Sequence, residues 1–85
     1  MADIDRFLDK ENKVKQWPKK FANKELVIAY LSSKFEFGRL YHETKINEIL
    51  KKWHTFGDWS LLRREMYEQH YFDRNSSGTE YKRLK

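Results

Sequence analysis

Residues 58–83, DWSLLRREMYEQHYFDRNSSGTEYKR, read as an amphipathic helix that runs almost without a linker into a β-hairpin. Asp58 is placed to cap the helix by accepting backbone N–H bonds from Ser60 or Leu61. At about 100° per residue, Trp59, Leu62, Met66 and His70 share one side, and Ser60, Arg64 and Glu68 face away. Arg63 and Tyr67 flank the apolar stripe. Leu61 falls on the polar side, a misfit that a second packing surface or a partner would explain. Beyond the helix, Phe72 and Arg74 alternate with their neighbours, Asn75-Ser76-Ser77-Gly78 supplies turn chemistry, and Thr79, Tyr81 and Arg83 alternate on the return. An isolated hairpin of this size is marginal and must dock on the helices. A helix feeding directly into a hairpin is how a winged helix-turn-helix domain ends, with the helix in the DNA major groove and the hairpin along the backbone. Two arginines against Asp58, Glu65 and Glu68 leave this helix a charge of −1, so the shape suggests DNA more strongly than the charge does.

Upstream, Ile46, Ile49, Leu50 and Trp53 recur at i, i+3, i+4, i+7 and predict a second helix, with Lys45, Glu48, Lys51 and Lys52 outside the stripe. His42, Glu43 and Thr44 compete for its cap. His54-Thr55-Phe56-Gly57 makes the short connection to the third helix. The first helix is expected to start at Asn23 as N-cap, to bury Leu26, Ile28, Ala29 or Tyr30, Leu31 and Phe35, and to end at Gly38 as the C′ residue. Arg39-Leu40-Tyr41 then reads as a brief extended link where a winged helix has a small edge strand. Nearer the start, Asp3 precedes Ile4, Phe7 and Leu8, a spacing that suits one or two helical turns, although Arg6-Phe7-Leu8 could be extended. Asp9 to Asn12 is a turn, and Lys13 to Trp17 is a short strand stopped by Pro18. The expected architecture is α+β: a winged helix-turn-helix-like three-helix core, a C-terminal hairpin and an N-terminal strand or hairpin extension, all one domain over residues 1–85.

Composition limits the function. A chain of 85 residues buries only about 60% of the surface its unfolded form exposes, so its core must be efficient. There are no cysteines, hence no disulfides or thiolate metal sites, which fits a cytoplasmic protein. Three Trp, five Tyr and six Phe supply the core instead, at about 150–250 Å² of burial each. Trp17 and Trp53 are in register with apolar neighbours and read as core; Trp59 is balanced between core and a contact role. The longest apolar run, Leu26 to Leu31, is far short of the ~20 residues that cross a bilayer, and no secretion signal opens the chain. Net charge is +5, and the largest share of the excess lies in residues 1–24, outside the third helix.

Arg6-Phe7-Leu8-Asp9, Lys15-Gln16-Trp17-Pro18, Asn47-Glu48-Ile49-Leu50, Trp53-His54-Thr55-Phe56-Gly57-Asp58 and Leu62-Arg63-Arg64-Glu65 resemble the bacterial domain-of-unknown-function family 2087 over nearly the whole chain. Residues Trp53 to Glu65 are the most specific part. The family includes free-standing proteins of this length and copies fused behind helix-turn-helix domains in transcriptional regulators. The resemblance therefore implies a regulatory setting and no established activity. This chain departs from the family pattern twice, with His42 where a hydroxyl residue often caps the second helix and Trp59 where proline often opens the third.

No catalytic residue, cofactor site or metal site emerges from the motifs. His42-Glu43 begins like HExxH, but Ile46 stands where the second histidine is needed. His42, His54 and His70 are spaced as surface, turn and helix-end residues, and His54 with Asp58 reads as a structural hydrogen bond across the interhelical turn. Asn75-Ser76-Ser77 matches a glycosylation sequon but reads better as a hairpin turn, and Gly38, Gly57 and Gly78 are too far apart to cradle a phosphate. The candidate site is a basic surface: Arg63 and Arg64 toward base edges, and Lys51, Lys52, Arg74, Lys82 and Arg83 toward phosphates. The expected partner is double-stranded DNA, with no membrane and no enzymatic activity; local ion pairs such as Arg64 to Glu68 are the plainer account of the same charges. The alternative is a protein-interaction or dimerisation module carried by Trp59, Leu61 and Tyr67, with a second copy or a regulator as partner.

Overall fold

A computed structural model describes residues 4–85. After a 3₁₀ turn at Ile4–Phe7, its elements are α1 (Phe21–Ser32), β1 (Leu40–His42), α2 (Glu43–Trp53), α3 (Trp59–Glu68), β2 (Phe72–Arg74) and β3 (Glu80–Arg83). The three strands form one antiparallel sheet in the order β1-β3-β2. This is an α+β fold, and its succession of elements is compatible with a winged helix-turn-helix. Phe7, Val14, Ile28, Leu31, Phe35, Tyr41, Ile46, Leu50, Leu62, Met66, Phe72 and Tyr81 share one core to which every element contributes. Ile4 and Phe7 realise the short N-terminal turn; Asp3, its expected cap, lies outside the described residues.

α1 departs from expectation at both ends. It starts at Phe21, two residues before Asn23, and the Lys20 side chain makes no cap bond. Asn23 therefore lies inside the first turn, where its Oδ1 accepts from Arg6 Nη2 at 3.0 Å and ties α1 to the N-terminal turn. The helix stops at Ser32, well short of Gly38. Ser33 N–H bonds the carbonyls of Ala29 and Tyr30, and Lys34 and Phe35 bond those of Leu31 and Ser32 at 3.1 Å. These tight turns close the helix end while still carrying Phe35 into the core. Gly38, at φ +72°, then redirects the chain into β1, a conformation that glycine adopts without steric cost.

The expected strand at Lys13–Trp17 is reduced to bridges at a single residue, Val14, which pairs with Leu8 and with His54. Val14 N–H donates to the Trp53 carbonyl at 2.8 Å, and its own carbonyl accepts from Thr55 N–H at 2.9 Å. Both polar groups are spent on the turn after α2, so no ladder continues. The segment is nonetheless hairpin-shaped, closed by Asp9 N–H to Lys13 carbonyl at 2.9 Å and Lys15 N–H to Phe7 carbonyl at 2.8 Å. Inside it, Asp9 Oδ1 accepts from the N–H groups of Glu11 and Lys13, each at 2.9 Å. The Lys13 bond above all holds the Asp9 carboxyl below its ordinary pKa.

α2 follows the predicted stripe, with Ile46 and Leu50 buried and Ile49 and Trp53 packed against the core. His42 wins the contest for its cap, its Nδ1 accepting from Thr44 N–H at 3.2 Å, so an imidazole nitrogen caps the helix. α3 ends at Glu68, which removes His70 from the stripe on which the periodicity placed it. His70 N–H bonds the Tyr67 carbonyl at 3.0 Å and Tyr71 N–H bonds the Met66 carbonyl at 3.0 Å, the paired bonds of a Schellman motif with His70 at C′. That position requires the left-handed region, and His70 sits there at φ +63° with its side chain exposed. His70→Gly is therefore expected to stabilise the domain by about 0.5–1 kcal/mol, read as a rise of several degrees in melting temperature.

Candidate nucleic-acid interface

The geometry of the candidate surface starts at the turn between α2 and α3. His54 is 5% exposed; its Nδ1 faces the Leu50 carbonyl, and its Nε2 accepts from Asp58 N–H at 3.0 Å. Those two partners require the neutral tautomer with the proton on Nδ1, donated to the Leu50 carbonyl. The ring also packs edge-on against Phe56 at 4.8 Å between centroids. His54 thus joins the last turn of α2 to the residue that caps α3. Asp58 completes the joint, its Oδ1 accepting from Leu61 N–H at 3.3 Å, the second of the two expected caps.

From that fixed start, α3 presents Ser60, Leu61, Arg63 and Arg64 toward the β2–β3 hairpin. Together with Asp58, Arg74 and Tyr81 they line a cleft of about 400 Å³. Leu61, the misfit of the helical wheel, is accounted for here: it is half-buried in the cleft between helix and hairpin. Arg74 is the hairpin's contribution. Its guanidinium lies 4.3 Å from the centroid of the Tyr67 ring, a cation–π contact that orients it toward α3. The Tyr81 hydroxyl, and after it that of Tyr67, lies where it stabilises the charged guanidinium and pushes its pKa further up.

The seven basic residues singled out in the sequence do not form one surface. Arg63, Arg64 and Arg74 meet at the cleft. Arg63 is also drawn back to α2, where its Nη1 lies 3.3 Å from Glu43 Oε1 and donates to Asn47 Oδ1. Arg64 is exposed and forms no ion pair with Glu68. Lys51 and Lys52 stand at the C-terminal end of α2, each over a tryptophan: Lys51 Nζ 4.2 Å from the Trp59 centroid and Lys52 Nζ 5.6 Å from that of Trp53. Lys82 is paired with Asp73 and Leu40 in the ladder, and alternation puts it on the opposite sheet face from Tyr81. Arg83 turns inward: its Nη1 donates to the Phe35 carbonyl at 2.6 Å, and its guanidinium stacks 3.7 Å from the Phe37 centroid.

Trp59, Leu61 and Tyr67 are each half-buried, and two of the three are covered by a cation. Trp17, Trp53 and Trp59 all pack against the core. Sequence reading did not anticipate Tyr67 beneath the Arg74 guanidinium or Tyr81 as its cross-strand partner. The alternation that placed Tyr81 beside Thr79 and Arg83 carried no sign of it, because the pairing of Tyr81 with Arg74 follows from the hairpin register. The turn itself is organised by Asn75, whose Oδ1 accepts from Thr79 and Glu80 N–H at 2.9 and 3.2 Å and whose Nδ2 donates to Thr79 Oγ1 at 3.0 Å.

The three histidines take separate places, at the α2 cap, in the interhelical turn and at the end of α3. Among the described residues no group of three or more His, Cys, Asp or Glu side chains is arranged to hold a metal ion, and no helix is long and apolar enough to cross a membrane. No curated protein and no solved structure matches the chain at a significant level. One family does: the profile described as "Uncharacterized protein conserved in bacteria (DUF2087)" matches residues 13–83, which include all three helices, the sheet and the cleft. The chain therefore belongs to the DUF2087 family of bacterial proteins.

Proposed function

We propose that this domain is a non-enzymatic, cytoplasmic DNA-binding module of bacterial transcriptional regulation, engaging duplex DNA through α3 and the β2–β3 hairpin. The observation that carries the reading is that Arg64 of α3 and Arg74 of the hairpin line one cleft between that helix and that hairpin. Arginine is suited to phosphate because its planar fork donates two parallel hydrogen bonds and stays charged at every relevant pH. Arg74 is stacked on Tyr67, so less side-chain freedom is lost when it takes up a phosphate. Asp58 is the one carboxylate lining the cleft, and its Oδ1 is engaged by the helix cap.

Arg64 and Arg74 at the cleft, with Lys51 and Lys52 at the end of α2, are the phosphate contacts of this reading. Arg63 acts mainly by fixing α3 against α2 through Glu43 and Asn47. Four such contacts predict a log–log dependence of affinity on salt with a slope near −3.6 for random-sequence duplex. Fluorescence anisotropy across a salt series measures it. Binding weaker than about 10⁻⁴ M at low salt, below the usual range for nonspecific DNA association, would overturn the proposal. The burial of Trp59 and Tyr67 beneath Lys51 and Arg74 also favours a charged face here over an apolar docking patch.

A further inference from the structure

The largest share of the chain's positive excess lies in residues 1–24, none of which lines the cleft between α3 and the hairpin. The fold gathers part of that charge at a second, shallow cleft of about 470 Å³ ahead of α1. The 3₁₀ turn at Ile4–Phe7 brings Arg6 to it, and Pro18, which ends the segment from Lys13 to Trp17, is followed there by Lys19 and Lys20. Arg6 is set in place: its Nη2 donates to Asn23 Oδ1 at 3.0 Å, and its guanidinium lies 4.9 Å from the centroid of the Phe7 ring. Gln16 adds an uncharged amide, and Phe7 and Pro18, both buried, supply the apolar wall. Among the described residues no carboxylate lines this cleft, and Arg6, Lys19 and Lys20 form no ion pair. Three like charges on one cleft repel one another, a cost that a bound anion removes.

We propose that this cleft binds dianionic phosphate, free or as the monoester group of a small organic phosphate, at a site separate from the α3 cleft. The two clefts share no lining residue. The chemistry of the three cations fits that ligand. Arg6 spends one of its five guanidinium donors on Asn23 and keeps the others for phosphate oxygens, which its planar fork can meet in pairs. Lys19 and Lys20 act beside it as mobile point charges that close on the remaining oxygens. A phosphate monoester carries about −1.5 to −2 charges at pH 7, close to what three cations call for. A backbone phosphodiester carries only one, and leaves most of the repulsion in place.

Heteronuclear NMR of the isotope-labelled full chain, titrated with inorganic phosphate while chloride holds the ionic strength constant, tests this. The backbone amides of Arg6, Lys19 and Lys20 are expected to shift along one saturating curve at millimolar phosphate, and methyl phosphate is expected to reproduce it. The double substitution Lys19→Gln, Lys20→Gln falls at two exposed positions, so the melting temperature should stay at the wild-type value while phosphate binding weakens by roughly tenfold or more. Shifts that fail to saturate, or that centre on Arg64 and Arg74, would overturn the proposal. Undiminished binding in the double variant would do the same. Shifts at this cleft with a thymidine oligonucleotide lacking terminal phosphates, but not with inorganic phosphate, would assign the three cations to a nucleic-acid backbone and equally defeat it.

Discussion

Phe72→Ala is expected to remove about 3–5 kcal/mol of stability, the usual cost of deleting a buried phenyl ring and leaving its cavity. Phe72 is 2% exposed and is the anchor by which the hairpin docks on the rest of the domain. Its ring meets Phe35 edge-on at 5.0 Å and 80°, and Phe35 in turn meets Tyr41 at 5.2 Å and 87°. The three rings join β2, the turns after α1, and β1, so one deletion loosens three parts of the chain. The hairpin has no independent stability to fall back on. Against a total of about 5–15 kcal/mol for a small domain, such a loss takes a large part of the reserve. Urea denaturation should show a midpoint far below wild type with an unchanged slope. A shift of under about 1 kcal/mol, typical of surface substitutions, would mean that the hairpin is not held by this ring.

The double substitution Arg64→Gln, Arg74→Gln should reduce affinity for duplex DNA by about a hundredfold or more, roughly tenfold for each charge-assisted hydrogen bond to phosphate that is removed. Because two of four phosphate contacts disappear, the salt slope should fall from about −3.6 to about −1.8. Glutamine keeps much of the aliphatic stem and introduces no repulsion. Both arginines are exposed, so the melting temperature should stay close to that of wild type. The slope separates a missing phosphate bond from a disturbed fold. Arg74→Lys adds a further check: it retains the charge but lacks the planar guanidinium that stacks on Tyr67, so it should weaken binding without halving the slope. Equal affinity of the double variant and wild type would remove the cleft from the DNA-binding surface.

Local patterning carried most of the architecture. The stripe Ile46, Ile49, Leu50 and Trp53 made α2 legible, because burial on one side of a helix imposes that spacing wherever the helix packs. The same holds for Trp59, Leu62 and Met66 in α3, with Asp58 as its cap, and for the turn at Asn75 to Gly78. α1 was harder to bound. Asn23 is a good capping residue by chemistry, but the helix begins two residues before it, and its Oδ1 bonds Arg6, seventeen residues earlier, a pairing that no local rule contains. Val14 likewise reads as part of a strand until its backbone is found bonded to Trp53 and Thr55. His70 satisfies the helical spacing, yet the chain leaves the helix at this residue through the left-handed region, which is uncommon outside glycine.

The candidate site divides in the same way. Residue types alone showed that the cations to consider were Lys51, Lys52, Arg63, Arg64, Arg74, Lys82 and Arg83, since charge is a property of the side chain and not of its surroundings. Which of them act together depended on strand register and helix packing, both set by contacts between residues far apart in the chain. The pairing of Phe72 with Arg83 and of Arg74 with Tyr81 turned Arg74 toward α3 and Lys82 to the opposite face. A shift of one residue would have exchanged them, because side chains alternate across a sheet. The sequence by itself determined three amphipathic or capped helices, a terminal hairpin and a basic inventory, all governed by neighbours within a few residues. Only the tertiary structure decided that Arg63 is tied to α2, that Arg83 is tied to the Phe35 carbonyl, and that Arg64 and Arg74 face each other across a cleft.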